Sequence, residues 1–91
     1  MPLPLSVEWS PRATRDLDEI HDYIAADRPK TAAEIKQSLV AAGDSLSLFP
    51  NRGREAGRSR ELVAVYPFIM RYRVTGVRVV VLRIKQGARQ P

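Results

Sequence analysis

The sequence predicts an α+β fold, ordered β-α-α-β-β-β, in which an antiparallel helical hairpin packs on one face of a small twisted, mostly antiparallel sheet. Three observations lead there. Apolar residues recur at spacings of three and four through two consecutive stretches, and they recur at two in the stretches after residue 59. The link between the two helical stretches is only a few residues, so the second helix must return antiparallel to the first. With 91 residues the chain has the size of one domain, residues 1–91, and its hydrophobic fraction of 44% must serve a single core.

In chain order, Leu5, Val7 and Trp9 alternate with Ser6 and Glu8, giving a half-buried strand over 4–9. Ser10-Pro11 opens the first helix, 11–27, because serine caps an orphan amide and proline at the first helical position has none to waste. Ala13, Leu17, Ile20 and Ile24 form its apolar stripe, and Asp16, Asp18, Glu19 and Asp22 are read as a solvated acidic surface on its other faces. The second helix, 30–49, carries Ala32, Ile35, Leu39, Ala42, Leu46 and Phe49 at spacings of three and four, and Pro50 stops it. Gly43 within it is read as a place where the two helices approach closely. Residues 50–59, with Gly53, Gly57 and three arginines but no periodicity, read as a mobile basic loop. A strand at 60–64 and a turn through Val65-Tyr66-Pro67 lead to a strand at 68–74, where Phe68, Met70, Tyr72 and Val74 oppose Ile69, Arg71 and Arg73. Thr75-Gly76 makes a hairpin turn into the last strand, 77–85, whose valines fit burial on both faces. Residues 86–91 form a tail.

Composition narrows the function classes. The sequence contains no cysteine and one histidine, which excludes a disulfide framework, a thiolate zinc site and a multi-histidine cluster, so neither cofactor nor metal is expected. The start of the chain lacks the basic flank and apolar stretch of an export signal, and the longest apolar run, Val79 to Leu82, is far short of the roughly 20 residues that span a bilayer. A cytoplasmic protein without membrane contact is expected. Charge is unevenly spread: residues 1–51 carry a net −3 and residues 52–91 a net +8, within a total of +5. A basic half on a small domain favours an anionic partner, nucleic acid or an acidic protein segment.

Catalytic groupings are scarce. His21 sits on the acidic first helix without a partner, no pair of carboxylates shares a spacing that aims both at one bond, and no Lys-Ser or Lys-Thr follows Gly57 to make a phosphate loop. What stands out is the constellation Arg58, Arg60, Arg71, Arg73, Arg78, Arg83, Lys85 and Arg89. Arg71 and Arg73, two apart, share a strand face; Arg78 and Arg83, five apart, point oppositely if the strand is regular. Converging guanidinium groups grip carboxylates or phosphates and stabilise developing charge.

Four stretches follow one another in a recognisable order: Trp9-Ser10-Pro11 with Ala13 and Asp16-Leu17; Leu46 to Pro50 followed by a Gly-Arg loop; Arg60-Glu61-Leu62-Val63 through Tyr66-Pro67-Phe68-Ile69 to Arg71-Tyr72-Arg73-Val74; and Val81-Leu82-Arg83-Ile84 followed by Gly87-Ala88-Arg89 and Pro91. Together they resemble the RelE/ParE superfamily of bacterial toxins, and specifically its ParE-like branch. The resemblance implies the toxin of a type II toxin–antitoxin pair, neutralised by a ParD-like antitoxin that wraps the toxin and alone touches operator DNA. ParE-like members are associated with poisoning DNA gyrase; RelE-like members resemble ribosome-dependent messenger RNA endonucleases. Ile69 stands where the RNA-cleaving relatives commonly place an arginine, the residues after Arg89 include neither tyrosine nor histidine, and Gln86 replaces a histidine frequent in ParE-like tails. The reading is therefore a gyrase inhibitor acting by protein binding, with Arg60, Arg71, Arg73, Arg83 and Arg89 as partner contacts and no catalytic residue. The alternative is a messenger RNA interferase in which Arg71, Arg73, Lys85 and Arg89 stabilise the transition state. A plain nucleic-acid-binding module, with salt-dependent affinity, is a third reading.

Overall fold

In the computed structural model, which describes residues 4–87, the elements are β1 (Ser6–Trp9), α1 (Pro11–Ala25), α2 (Pro29–Ser45), β2 (Arg54–Ala56), β3 (Ser59–Val65), β4 (Phe68–Thr75) and β5 (Arg78–Gln86). The strands form one sheet in the order β1-β5-β4-β3-β2, antiparallel except between β1 and β5. Two helices on a mostly antiparallel sheet is the expected α+β arrangement, with one strand more than the sequence shows. That strand, β2, lies in the stretch read as a loop: Gly57 takes a positive φ and turns the chain so that Arg54–Ala56 pair with Ser59–Glu61. Three residues are too few for period-2 alternation to be visible.

The core lies between the sheet and the helical hairpin. Ala13 and Leu17 of α1, Leu39 of α2 and Leu46 just after it meet Phe68, Met70 and Tyr72 of β4 and Val79, Val81 and Ile84 of β5. Ser10 caps α1 as its spacing implies, accepting from the Ala13 amide at 3.0 Å. Both helices end earlier than the sequence reading placed them, α1 at Ala25 and α2 at Ser45, and only α2 ends before its apolar stripe does. α2 stops at Ser45, where Leu46 N and Ser47 N donate to Gly43 and Asp44 carbonyls in tightened i→i+3 turns, and Ser47 then exchanges hydrogen bonds with the Leu5 backbone. The chain leaves the helical path there, so Leu46 enters the core but Phe49, expected in the same stripe, is exposed. Gly43 serves a different approach from the one expected. A Cβ at this position would lie 2.5 Å from Trp9 Cζ2, so the missing side chain makes room for the indole of β1, which lies between α2 and the sheet.

One irregularity in β5 sets the geometry of the opposite sheet face. The β4–β5 register passes from Tyr72↔Val81 to Arg71↔Arg83, leaving Leu82 as an extra residue in a bulge. Regular alternation would send Arg78 and Arg83 to opposite faces; the bulge instead places Arg78, opposite Thr75, and Arg83, opposite Arg71, on one side. The β4–β5 turn falls one residue later than read, at Gly76 and Val77, with Gly76 at φ 58°. No helix among the described residues is long and apolar enough to cross a membrane.

Candidate functional site: a cationic sheet face and an apolar groove

The sheet face turned away from the helices is organised in rows by the strand register. One row runs Arg54, Glu61, Arg71 and Arg83 across β2, β3, β4 and β5. The next is Val63, Ile69 and Lys85, and on the other side Arg73 and Val80 lead to Glu8 on β1. Backbone pairing alone thus brings Arg71, Arg73, Arg83 and Lys85 to one surface. Cations directly opposite across a ladder repel, and the Arg71–Arg83 pair is stabilised because each guanidinium has its own carboxylate.

Arg71 donates from Nη2 to Glu61 Oε2 at 2.9 Å, and Arg54 Nη2 lies 3.6 Å from the other Glu61 oxygen. The hydrogen bond from Arg71 outweighs partial burial and, with the charges of Arg71 and Arg54, holds the Glu61 carboxyl below the ordinary glutamate value. Arg71 Nε is buried and has no hydrogen-bond partner among the described residues.

Arg83 is held from the other side. β1 ends opposite Val81, and beyond that point no strand among the described residues pairs with the outer edge of β5. The cap residue Ser10 and α1 take the place of a strand: Ser10 Oγ donates to the Leu82 carbonyl at 3.1 Å, and Asp16 Oδ2 accepts from Ile84 N at 3.0 Å and from Arg83 Nε at 2.8 Å. Asp16 is only 4% exposed, and Arg12 Nε approaches its second oxygen at 3.2 Å. This corrects the sequence reading, in which Asp16 belonged to a solvated acidic face with Asp18, Glu19 and Asp22. Helical spacing shows which residues share a face; it does not show that a strand edge lies there in need of an acceptor. Burial pushes the Asp16 carboxyl up, but the hydrogen bonds from Arg83 and the Ile84 amide and the charges of Arg83 and Arg12 more than offset it, so its pKa is lowered.

Arg60 lies opposite Tyr72 on the helix-side face, and its Nη1 donates to the Gly53 carbonyl at 2.7 Å. The fully buried Tyr72 completes the same clamp: its hydroxyl donates to the Pro50 carbonyl at 2.7 Å and accepts from Gly53 N at 2.8 Å. A Cβ on Gly53 would lie 2.8 Å from the Glu61 carbonyl oxygen, so the close approach requires glycine. The stretch read as mobile is therefore tied to the sheet at its start. Removing the hydroxyl in Tyr72→Phe leaves the buried Gly53 amide and the half-buried Pro50 carbonyl without this partner, and the expected loss is about 1–3 kcal/mol of unfolding free energy in a urea titration. A midpoint equal to wild type would show that solvent takes over both bonds.

Of the other residues singled out from the sequence, Arg73 and Lys85 are exposed and make no ion pair among the described residues, and Arg89 lies outside the described residues. Arg78 pairs with Glu8 at 3.2 Å. His21 Nδ1 lies 3.1 Å from Asp22 Oδ1 on the surface of α1. No group of three or more His, Cys, Asp or Glu among the described residues is placed to hold a metal ion.

A second feature was not read from the sequence. The far half of α1 and the start of α2 form one wall of a groove of ≈ 460 Å³, and the Tyr66-Pro67-Phe68 corner with the end of β5 forms the other. Ile20, Ile24 and Ile35 give it an apolar lining, Asp16 and Ile84 belong to its floor, and Tyr23 stands at its rim, 84% exposed. The signal available in the sequence was Tyr23 at three residues from Ile20, a large aromatic beside a stripe whose last members have too little sheet beneath them.

Comparisons with known proteins bear on the fold and the family. Residues 7–91 match the family described as the ParE toxin of the type II toxin–antitoxin system parDE. Toxin RelE2 of Caulobacter vibrioides is 43% identical over 84 residues, covering 91% of this chain and 96% of that protein. Among solved structures, the chromosomal ParDE system of P. aeruginosa is similar with a TM-score of 0.80 at 30% identity, over 90% of this chain and 95% of that one. The RelBE2 toxin–antitoxin complex of Mycobacterium tuberculosis shares the fold, with a TM-score of 0.69 at 20% identity over 93% and 100% of the two chains. The chain belongs to the ParE toxin family within the RelE/ParE superfamily, and is a toxin of a type II toxin–antitoxin system.

Proposed function

We propose that this toxin acts in the cytoplasm by binding DNA gyrase, without cutting nucleic acid, and that a ParD-like antitoxin keeps it inactive and is the sole contact with operator DNA. The observation that supports binding over cleavage is how the carboxylates on and around the cationic face are used. Glu61 and Asp16 are counter-ions of Arg71 and Arg83, with pKa values lowered, so neither is poised to take a proton near neutral pH. The exposed arginines offer charge for an acidic protein surface. Arg60 and Arg83, read as partner contacts, are engaged within the fold, which leaves Arg73, with the outward donors of Arg71, as the stronger candidates among the described residues.

For the antitoxin, the groove beside Tyr23 fits an amphipathic segment that lays apolar side chains on Ile20, Ile24 and Ile35. An in vitro supercoiling assay tests the target. Excess antitoxin-free toxin is expected to abolish supercoiling by purified gyrase, and added antitoxin to restore it; unchanged gyrase activity would remove the proposal. The interferase reading is kept because a 43% identical relative carries a RelE name. In it Arg71, Arg73, Lys85 and Arg89 stabilise the charge that develops on a scissile phosphate.

A further inference from the structure

Among the described residues, the exposed large apolar side chains fall into two groups at opposite ends of the sheet, with Val63 apart on the open face. Tyr23 and Tyr66 belong to the groove. The second group is Leu48 (64% exposed), Phe49 (61%), Val74 and Val77 (78%), and the backbone brings these residues together. Ser47 is fixed to β1 by Leu5 N→Ser47 O at 2.9 Å and Ser47 Oγ→Leu5 O at 2.7 Å, and Pro50 is fixed to β4 by the Tyr72 hydroxyl. Leu48 and Phe49 thus span the end of the sheet between its first strand and its centre. Val77 reaches the same end, where its carbonyl accepts from Ser6 N at 3.1 Å, and Val74 is the last inward-facing residue of β4.

Arg52 lies beside Leu48 and Phe49, and two further cations stand at the same end of the sheet. Arg58 sits in the β2–β3 turn at the same end and, like Arg73, makes no ion pair among the described residues; Arg52 is held at 2.7 Å from Ser45 Oγ. Against them stand Asp44 at the end of α2 and Glu55 on β2. The arginines argue against a second copy of this chain as the occupant, since self-association would set like charges together. Leu48, Phe49 and Val77 argue against a nucleic acid backbone, which offers nothing to cover them.

We infer that this end of the molecule is the docking surface for the toxin's cellular target, and that the target presents an acidic segment carrying large apolar side chains. The inference rests on reading the chain as a toxin that acts by protein binding, and it goes further in separating the target surface from the antitoxin groove at the other end. Apolar anchors supply affinity, and Arg58 and Arg73 supply steering and selectivity.

The test compares growth on induction of the full chain carrying Leu48→Ser with Phe49→Ser, and separately Arg58→Glu with Arg73→Glu. Antitoxin binding and thermal melting are measured on the same variants, and Val77→Ser repeats the test from the turn side of the patch. Because these side chains are exposed, melting and antitoxin affinity are expected to stay at wild-type values, while target binding falls at least about tenfold and growth is restored. Continued arrest by the Leu48/Phe49 variant overturns the inference. So does loss of arrest from the arginine changes alone, which would indicate nucleic acid, and so does antitoxin binding lost in parallel, which would give the face to the antitoxin. Wild-type self-association reversed by the Leu48/Phe49 changes, or a wild type that arrests nothing, overturns it as well. The gyrase reading fails separately: arrest by wild type with supercoiling untouched removes gyrase as target and leaves this surface standing.

Discussion

Asp16→Ala is expected to lower the stability of the toxin by about 3–5 kcal/mol, the cost of stripping one partner from a buried ion pair. The substitution leaves Arg83 without its carboxylate beside the like-charged Arg71, and leaves the Ile84 amide without an acceptor at an edge that no strand among the described residues covers. For a domain of this size the melting temperature should fall by more than about 10 °C. Asp16→Asn, which can still accept from Ile84 N but carries no charge, should fall between the two. A double-mutant cycle with Arg83→Ala isolates the pairwise part, and additive losses would show that the two side chains are stabilised independently. Acid should act on the same bonds. Asp16 and Glu61 both have lowered pKa values in the folded state, so the stability they contribute is fully present above the ordinary carboxylate range, near pH 4, and is lost as the pH falls through their folded-state values. Asp16→Ala should therefore flatten the acid limb of a stability–pH curve; an unchanged limb would assign acid unfolding to other groups.

Tyr23→Ala is expected to weaken antitoxin binding by about 2 kcal/mol, roughly 30-fold in Kd, because an exposed aromatic at the rim of an apolar groove has the character of a binding hot spot. Tyr23 covers no core residue and is 84% exposed, so its removal should leave the melting temperature unchanged. Calorimetry with the cognate antitoxin separates this from a folding defect. An affinity equal to wild type would place the antitoxin segment elsewhere, and in cells the weakened complex should release toxin at an antitoxin dose that fully protects against wild type.

The parts of this molecule that were legible in sequence are those governed by local periodicity. The α1 stripe from Ala13 to Ile24, the Ser10 cap and the alternation of Phe68, Met70 and Tyr72 all appear in the structure because each is decided within a few residues of chain. β2 was invisible, since it consists of three residues held by pairing across a glycine turn. The orientation of Arg83, read only for a regular strand, was left undecided by the sequence, because a bulge at Leu82 breaks the period of two and nothing in a run of valines and arginines announces an extra residue. Asp16 was misread because its partners are 67 and 68 positions away, and a helical wheel carries no information about a strand edge contributed by the other end of the chain. The basic surface itself was foreseen from charge partition, but which arginines remain free for a partner followed only once Glu61, Asp16 and Gly53 were seen to hold Arg71, Arg83 and Arg60.

The central claim is that the cationic half of this toxin holds another macromolecule and performs no cleavage. Mapping of messenger RNA 5′ ends in cells arrested by the induced toxin tests it most directly. Intact messages, together with a fall in chromosomal negative supercoiling, are the expected result. New ends in phase with codons, abolished by Arg71→Ala or Arg73→Ala in a chain that still folds, would contradict it.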